Sequence, residues 1–127
     1  MAKRFDKVKQ TEIKEDFSTG SVRGIRTGKG RFDLIPPYAL LRLAIHYENG
    51  ASAYGDRNWE KGQPLGRYLD SALRHLNCVR MGMDDEDHLS AVAWNVMAIV
   101  ETQYRIEKGI LPKELDDLPE PYKDASC

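Results

Sequence analysis

No stretch of this sequence approaches the roughly 18 consecutive apolar residues that a membrane-crossing helix needs. The opening Met1-Ala2-Lys3-Arg4-Phe5-Asp6 also lacks the apolar segment of a secretion signal. The expectation is a cytoplasmic protein with no membrane partner. Cysteine is scarce: Cys78 falls in a helical pattern and Cys127 at the chain end, forming neither a CxxC pair nor a zinc-ligand spacing. Both read as unpaired thiols of a reducing compartment. Net charge is only −1, which counts against a nucleic-acid-binding module. No alternating apolar run is long enough to support a sheet, and no segment repeats.

What is present is enough for one core, since 41% of the 127 residues are apolar. Charge is unevenly spread. Residues 1–31 carry nine Lys or Arg against four Asp or Glu, whereas Asp84-Asp85-Glu86-Asp87 run together. Such polarity suits a site that holds phosphate with one segment and a cation with another. A solvated tail and a well-capped helix are the plain alternative.

Periodicity predicts an all-α fold, a compact bundle of three main helices with a Gly-rich basic N-terminal arm. The first helix begins at Pro36-Pro37, where a missing N–H costs nothing. Its apolar residues Leu40, Leu41, Ala44, Ile45 and Tyr47 recur at three- and four-residue spacings, and the pattern continues past Gly50 toward Tyr54. Residues 55–62 have turn composition and form a loop or a single helical turn. The second helix follows Pro64 with Leu65, Leu69, Ala72, Leu73, Leu76 and Val79 as its apolar face, and Gly82 is a plausible stop. The third opens with Asp84 or Asp85 as N-cap and runs to about Glu107. Leu89, Val92, Ala93, Val96, Met97, Ile99 and Val100 supply a broad face to bury. The domain plan is a charged arm over 1–26, a helical domain over 27–118 and a frayed tail over 119–127. Three helices make a thin bundle, so homo-oligomerisation is expected to complete the core.

Several residues can carry chemistry. On the third helix Asp84, Asp87 and His88 share a stripe that continues through Ala91 to Asn95. Crowded carboxylates repel one another, and a divalent cation with oxygen ligands relieves that repulsion; capping of the helix start is the simpler account. Glu48, on a largely apolar helix, is a second carboxylate source. The second helix offers Arg67, Asp70 and Arg74, with Asp70 and Arg74 spaced for an intrahelical ion pair, and His75, which can equally be a packed core residue. Lys29 and Arg31 beside Gly28 and Gly30 combine cations with approachable backbone N–H groups, without the GxxxxGK[ST] spacing of a Walker loop. Arg57, Asn58 and Trp59 add a cation, an amide and a flat face for stacking, Trp59 being equally suited to a core.

Taken in order, Gly28-Lys29-Gly30-Arg31-Phe32-Asp33-Leu34-Ile35-Pro36, His46-Tyr47-Glu48, Tyr54-Gly55-Asp56-Arg57-Asn58-Trp59, the run from Arg67 to His75, and Asp85-Glu86-Asp87-His88 through Trp94-Asn95 resemble a phage protein family. That family is the dATP/dGTP diphosphohydrolase N-terminal domain, and the resemblance covers about residues 27–118. It implies kinship with the MazG-like all-α nucleotide pyrophosphatases, which cleave a nucleoside triphosphate to monophosphate and pyrophosphate with Mg²⁺ or a similar ion such as Mn²⁺. Their EExxE motif is absent, since Glu48 has no second glutamate one turn away; Asp84-x-x-Asp87 matches their ExxD element with Asp for Glu. The resemblance therefore implies metal binding by Asp84, Asp87 and Glu48. Glu86 or His88 is the candidate general base. Lys29, Arg31, Tyr54, Arg57, Asn58, Trp59, Arg67, Arg74 and Asn95 are the candidates for substrate binding, the expected partner being a purine nucleotide in the cytosol of a phage host. A phage protein that sequesters a nucleotide or nucleotide signal without turnover is the alternative.

Overall fold

The computed structural model describes residues 13–123 and Ser126. Contacts divide the chain into two units that meet between Ile35 and Pro36. Asp124, Ala125 and Cys127 of the expected frayed tail lie outside the described residues, as does the part of the charged arm before Ile13.

In the first unit, strands β1 (Lys14–Asp16) and β2 (Val22–Gly24) pair antiparallel, Glu15 opposite Arg23. The sequence reading expected no strand here. Three residues are too few for an alternating pattern to register, and pairing is instead set by the turn. Phe17 N–H donates to Ser21 O at 2.9 Å, Gly20 N–H returns to Phe17 O at 2.9 Å, and Gly20 takes φ 90°, a value glycine adopts without strain.

The second unit is helical throughout its ordered elements: α1 (Pro37–Tyr54), α2 (Leu65–Arg80) and α3 (His88–Glu107). Single 3-10 turns stand at Asn58–Lys61 and Lys113–Leu115. All-α is thus the class, and α3 is the central element, packing closely on α2 and less extensively on α1. Helix α1 runs through Gly50 without interruption and ends at Gly55. The third helix starts later than expected. Asp87, not Asp84 or Asp85, is its N-cap, because Asp87 accepts from both Ser90 N–H at 3.1 Å and Ser90 Oγ–H at 2.7 Å.

The buried faces are the expected ones only in part, Leu65 and Ala72 being buried as the periodicity predicts. Helix α2 buries Leu65, Tyr68, Ala72 and His75, a stripe rotated from the leucine face; Leu69, Leu73 and Leu76 stay exposed in the single chain. Helix α3 buries His88, Ser90, Ala91, Asn95, Ala98 and Thr102, leaving Leu89, Val96, Met97 and Val100 outside. Small and polar residues therefore form the α2–α3 seam, and small side chains let two helix backbones approach closely. Leu65, Tyr68 and Ala98 make the core proper, with Trp94, Ile99 and Leu118 packed on it. Helix α1 buries no residue. The chain after α3 folds back to α2, whose first residues follow Pro64 and lack a local side-chain cap. Gly66 N–H donates to Asp117 Oδ1 at 2.7 Å, so a carboxylate remote in sequence serves the positive end of that helix.

Candidate functional site

Helix α2 presents Arg67, Asp70, Ser71 and Arg74 along one edge, at the three- and four-residue spacings that align side chains on a helix. Together with Tyr54 from the end of α1, Gln63 and Pro64 before α2, Tyr68, and Asn95 from α3, they line a cleft of about 610 Å³. That is a volume suited to a nucleotide-sized ligand. The expected Asp70–Arg74 ion pair is not made: Arg74 Nη2 donates instead to Ser71 Oγ at 3.4 Å, and Arg67 has no ion pair among the described residues. Both guanidinium groups thus face the cleft without a carboxylate bonded to them.

Asn95 is buried in the wall of the cleft, and its orientation is fixed by its own helix. Its Nδ2 donates to Ala91 O at 2.8 Å and to Ser71 Oγ at 3.4 Å. The group left for a ligand is the carbonyl oxygen, an acceptor. Tyr68 is 2% exposed, its hydroxyl meets no hydrogen-bond partner among the described residues, and burial pushes its pKa up.

A smaller cavity of about 60 Å³ shares Tyr54 with the cleft and is lined by Tyr47, Gly50, Ala51, Gly55, Arg57, Asn58, Trp59 and Trp94. Arg57 takes a left-handed backbone (φ 59°) and reaches Glu60 at 3.3 Å. Trp59 has the Arg105 guanidinium over its ring at 5.6 Å, so one face is already stacked. Of the substrate residues expected from the sequence, Tyr54, Arg57, Asn58, Trp59, Arg67, Arg74 and Asn95 fall into two adjoining hollows that share Tyr54.

Lys29 and Arg31 belong to the first unit. There Lys29, Arg23, Arg26, Glu15, Phe17 and Gly24 line a hollow of about 390 Å³. Arg31 is bound bidentately to Asp33, Nε–Oδ1 and Nη2–Oδ2 both at 2.8 Å, which lowers the pKa of Asp33 and raises that of Arg31.

The acid run resolves into separate roles. Asp87 is gripped from α1: Arg42 Nε donates to Oδ2 at 2.7 Å and Nη2 to Oδ1 at 2.8 Å. This ion pair above all holds the Asp87 carboxyl well below its ordinary range, and the Ser90 bonds add to it. Asp85 turns the other way, with Oδ1 2.8 Å from His88 Nε2, and its pKa is lowered by that bond. His88, 5% exposed, has its Nδ1 2.9 Å from Nδ1 of His75. Glu86 Oε1 lies 3.3 Å from His75 Nδ1 and 3.7 Å from His88 Nδ1. Burial keeps His75 below the ordinary imidazole pKa, with Arg74 adding to the effect and Glu86 opposing it. Glu86 and His88 are absent from the lining of the Arg67–Arg74 cleft, and both ring nitrogens of His88 already have partners.

The family model described as dATP/dGTP diphosphohydrolase, N-terminal, matches residues 19–110. The chain belongs to that family. Searches of curated proteins and of solved structures found no match. The family's matched span contains the cleft, the smaller cavity and the whole acid–histidine cluster. It also contains the carboxylates through which the MazG-like resemblance implies Mg²⁺. Among the described residues, His75, Glu86 and His88 are the group of three whose ligand atoms all lie within 4.8 Å of one another; Glu48, Asp84 and Asp87 form no such group. Asp87 has both oxygens on Arg42, Glu48 is exposed on α1, and Asp84 is exposed before α3. In the single chain these three carboxylates offer no shared cradle for Mg²⁺ or Mn²⁺. Nor does any helix among the described residues have the length and apolarity to cross a membrane.

Proposed function

We propose that the cleft between α2 and α3 binds a purine deoxynucleoside triphosphate, dATP or dGTP, and that the chain hydrolyses it to monophosphate and pyrophosphate. The observation that carries this reading is the pairing, in one cleft, of two guanidinium groups that have no carboxylate partner among the described residues with a buried amide whose oxygen alone is free. Arg67 and Arg74 supply charge for the phosphates, each charge-assisted bond contributing about 1.5–3 kcal/mol. Asn95 Oδ1 accepts from the adenine exocyclic amine or from the N–H edge of guanine, and Tyr54 offers its exposed ring for stacking. Asp70, the carboxylate in the cleft lining, accepts the proton of the attacking water. Water oxygen then bonds to the α-phosphorus as the bond to the α–β bridging oxygen breaks, and pyrophosphate leaves with the charge that Arg67 and Arg74 neutralise.

The outward Leu69, Leu73, Leu76, Val96, Met97 and Val100 support a working form that is a homo-oligomer, because exposing so many large apolar side chains is costly for a lone domain.

The test is incubation with each of the four dNTPs, with and without Mg²⁺, followed by product chromatography. The expected products are dAMP or dGMP with pyrophosphate. Asp70→Asn is expected to abolish turnover while retaining nucleotide, and Arg67→Ala with Arg74→Ala to raise KM by about tenfold or more. A second reading, sequestration without turnover, is supported by Asp87 being committed to Arg42 and by the dispersal of the acids. Purine nucleotide retained unchanged by the parental protein would favour it and sink the hydrolase.

A further inference from the structure

The two buried histidines across the α2–α3 seam have no part in the cleft chemistry. Helix α2 supplies His75 in its C-terminal half, and α3 begins at His88, so the short turn between them brings the two imidazoles together, tilted at 43° with ring centres 5.2 Å apart. Their Nδ1 atoms are 2.9 Å apart, with 8% and 5% of each residue exposed. Two ring nitrogens aimed at one another need something between them, either a proton or an ion, because two lone pairs at that distance repel.

Asp85 constrains which. Its carboxylate holds His88 Nε2 at 2.8 Å, and a carboxylate accepts a hydrogen bond, so the proton of a neutral His88 sits on Nε2 and the Nδ1 lone pair points at His75. A carboxylate on the outer nitrogen of an imidazole is the arrangement that orients metal-ligating histidines and raises their basicity. Glu86 Oε1 then completes a triangle with the two Nδ1 atoms, with edges of 2.9, 3.3 and 3.7 Å. The corners of such a triangle lie about 1.9 Å from its centre, so an ion at the roughly 2.0–2.2 Å typical of Zn–N and Zn–O bonds fits just out of its plane.

We propose that His75 Nδ1, His88 Nδ1 and Glu86 Oε1 form a binding site for one borderline divalent metal ion of the zinc class, with Asp85 holding His88 in the ligating tautomer. Two nitrogen donors and one oxygen favour such an ion over Mg²⁺, which takes oxygen ligands almost exclusively. Three protein ligands leave a coordination position open, the pattern of reactive rather than purely structural zinc sites. Glu86, 53% exposed at its side chain, sits on the solvent side and provides the way in. The site stands apart from the triphosphate reading: ion binding can hold or fail whether or not dNTPs are hydrolysed.

The experiment uses the full chain purified without a histidine tag, stripped with chelator and titrated with Zn²⁺ by calorimetry. Co²⁺ serves as a coloured probe of coordination. The expected result is one Zn²⁺ per chain, undisturbed by excess Mg²⁺, with Co²⁺ giving the visible bands of low-coordinate nitrogen–oxygen ligation. His75→Ala is expected to abolish binding. Glu86→Gln, at an exposed position where folding is not at stake, is expected to weaken it at least tenfold. Asp85→Asn is expected to weaken it by about 10- to 100-fold, the usual effect of losing an outer partner. Glu107→Gln, a distant exposed acid on α3, is the control. Absence of stoichiometric binding, or parental affinity in Glu86→Gln, would overturn the site and leave a histidine–histidine hydrogen bond in its place.

Discussion

The seam between α2 and α3 and the outward faces of the same two helices reverse the usual division of labour. The seam holds Tyr68, Ala72, His75, His88, Ala91, Asn95, Ala98 and Thr102, while Leu69, Leu73, Leu76, Val96, Met97 and Val100 look away from it. A seam built of small and hydrogen-bonding side chains brings two helices close and gives a ligand polar groups held on rigid backbone. It gives up much of the apolar burial that would otherwise stabilise a domain of this size. The outward leucines and valines are where that burial is still available, and the proposed homo-oligomer draws on it.

The sharpest way to break this contrast compares a leucine from each region. Leu65 is fully buried at the start of α2, and Leu65→Ala is expected to cost about 2–5 kcal/mol in urea unfolding, independent of protein concentration. Leu73, 58% exposed, is expected to behave otherwise. Leu73→Asp should leave the stability of a dilute monomer almost unchanged but shift the sedimentation profile toward monomer at higher concentration. If Leu73→Asp sediments like the parent, the outward face is not an interface between copies.

A smaller effect probes the closeness of the seam. Ala98 is 2% exposed and faces α2 within the core, so Ala98→Leu forces extra methylenes between the helices, at about 1–3 kcal/mol by thermal or urea unfolding. Val100→Leu, one helical step outside, should cost nothing measurable. Equal effects at the two positions would mean that the seam has room to spare.

The same contrast explains what could be read from the residues alone. The limits of α1 and α2, and the end of α3, follow from Pro37, Gly55, Pro64 and the Lys108-Gly109 stop, because proline and glycine act locally on the backbone. Arg67, Arg74, Asn95 and Tyr54 could be named as candidate ligand residues from their chemical type, and they line one cleft. Which face is buried could not be read, since periodicity marks the apolar stripe without saying whether this chain or another covers it. The spacing of Asp70 and Arg74 suits an ion pair that the structure does not contain, and the place of Asp70 in the cleft depends on where Asn95 of another helix falls. The His75–His88 contact joins residues 13 apart through a turn whose geometry no motif announces. The three-residue strands were too short to show a period.

The smallest expected effect lies at the acid run, where four adjacent carboxylates share a label but not a role. Asp87 caps α3 and holds Arg42; Asp85 holds His88. Asn is as good a cap as Asp, so Asp87→Asn keeps one oxygen for the cap but removes the charge and one of the two acceptors that hold Arg42, whereas Asp87→Ala removes the cap as well, costing about 1 kcal/mol more. The folded Asp87 carboxyl is held below its ordinary value, chiefly by Arg42. Its contribution is therefore fully present above the unfolded pKa of about 3.9 and is lost as the pH falls through the folded value. Unfolding measured from pH 7 to pH 2 should show parent and Asp87→Asn differing most at neutral pH, with the gap narrowing below about pH 4 as Asp87 of the unfolded chain takes up a proton that the folded carboxyl still refuses. A gap that persists unchanged to pH 2 would mean that the Arg42 grip contributes through shape and hydrogen bonding, with no ionic share.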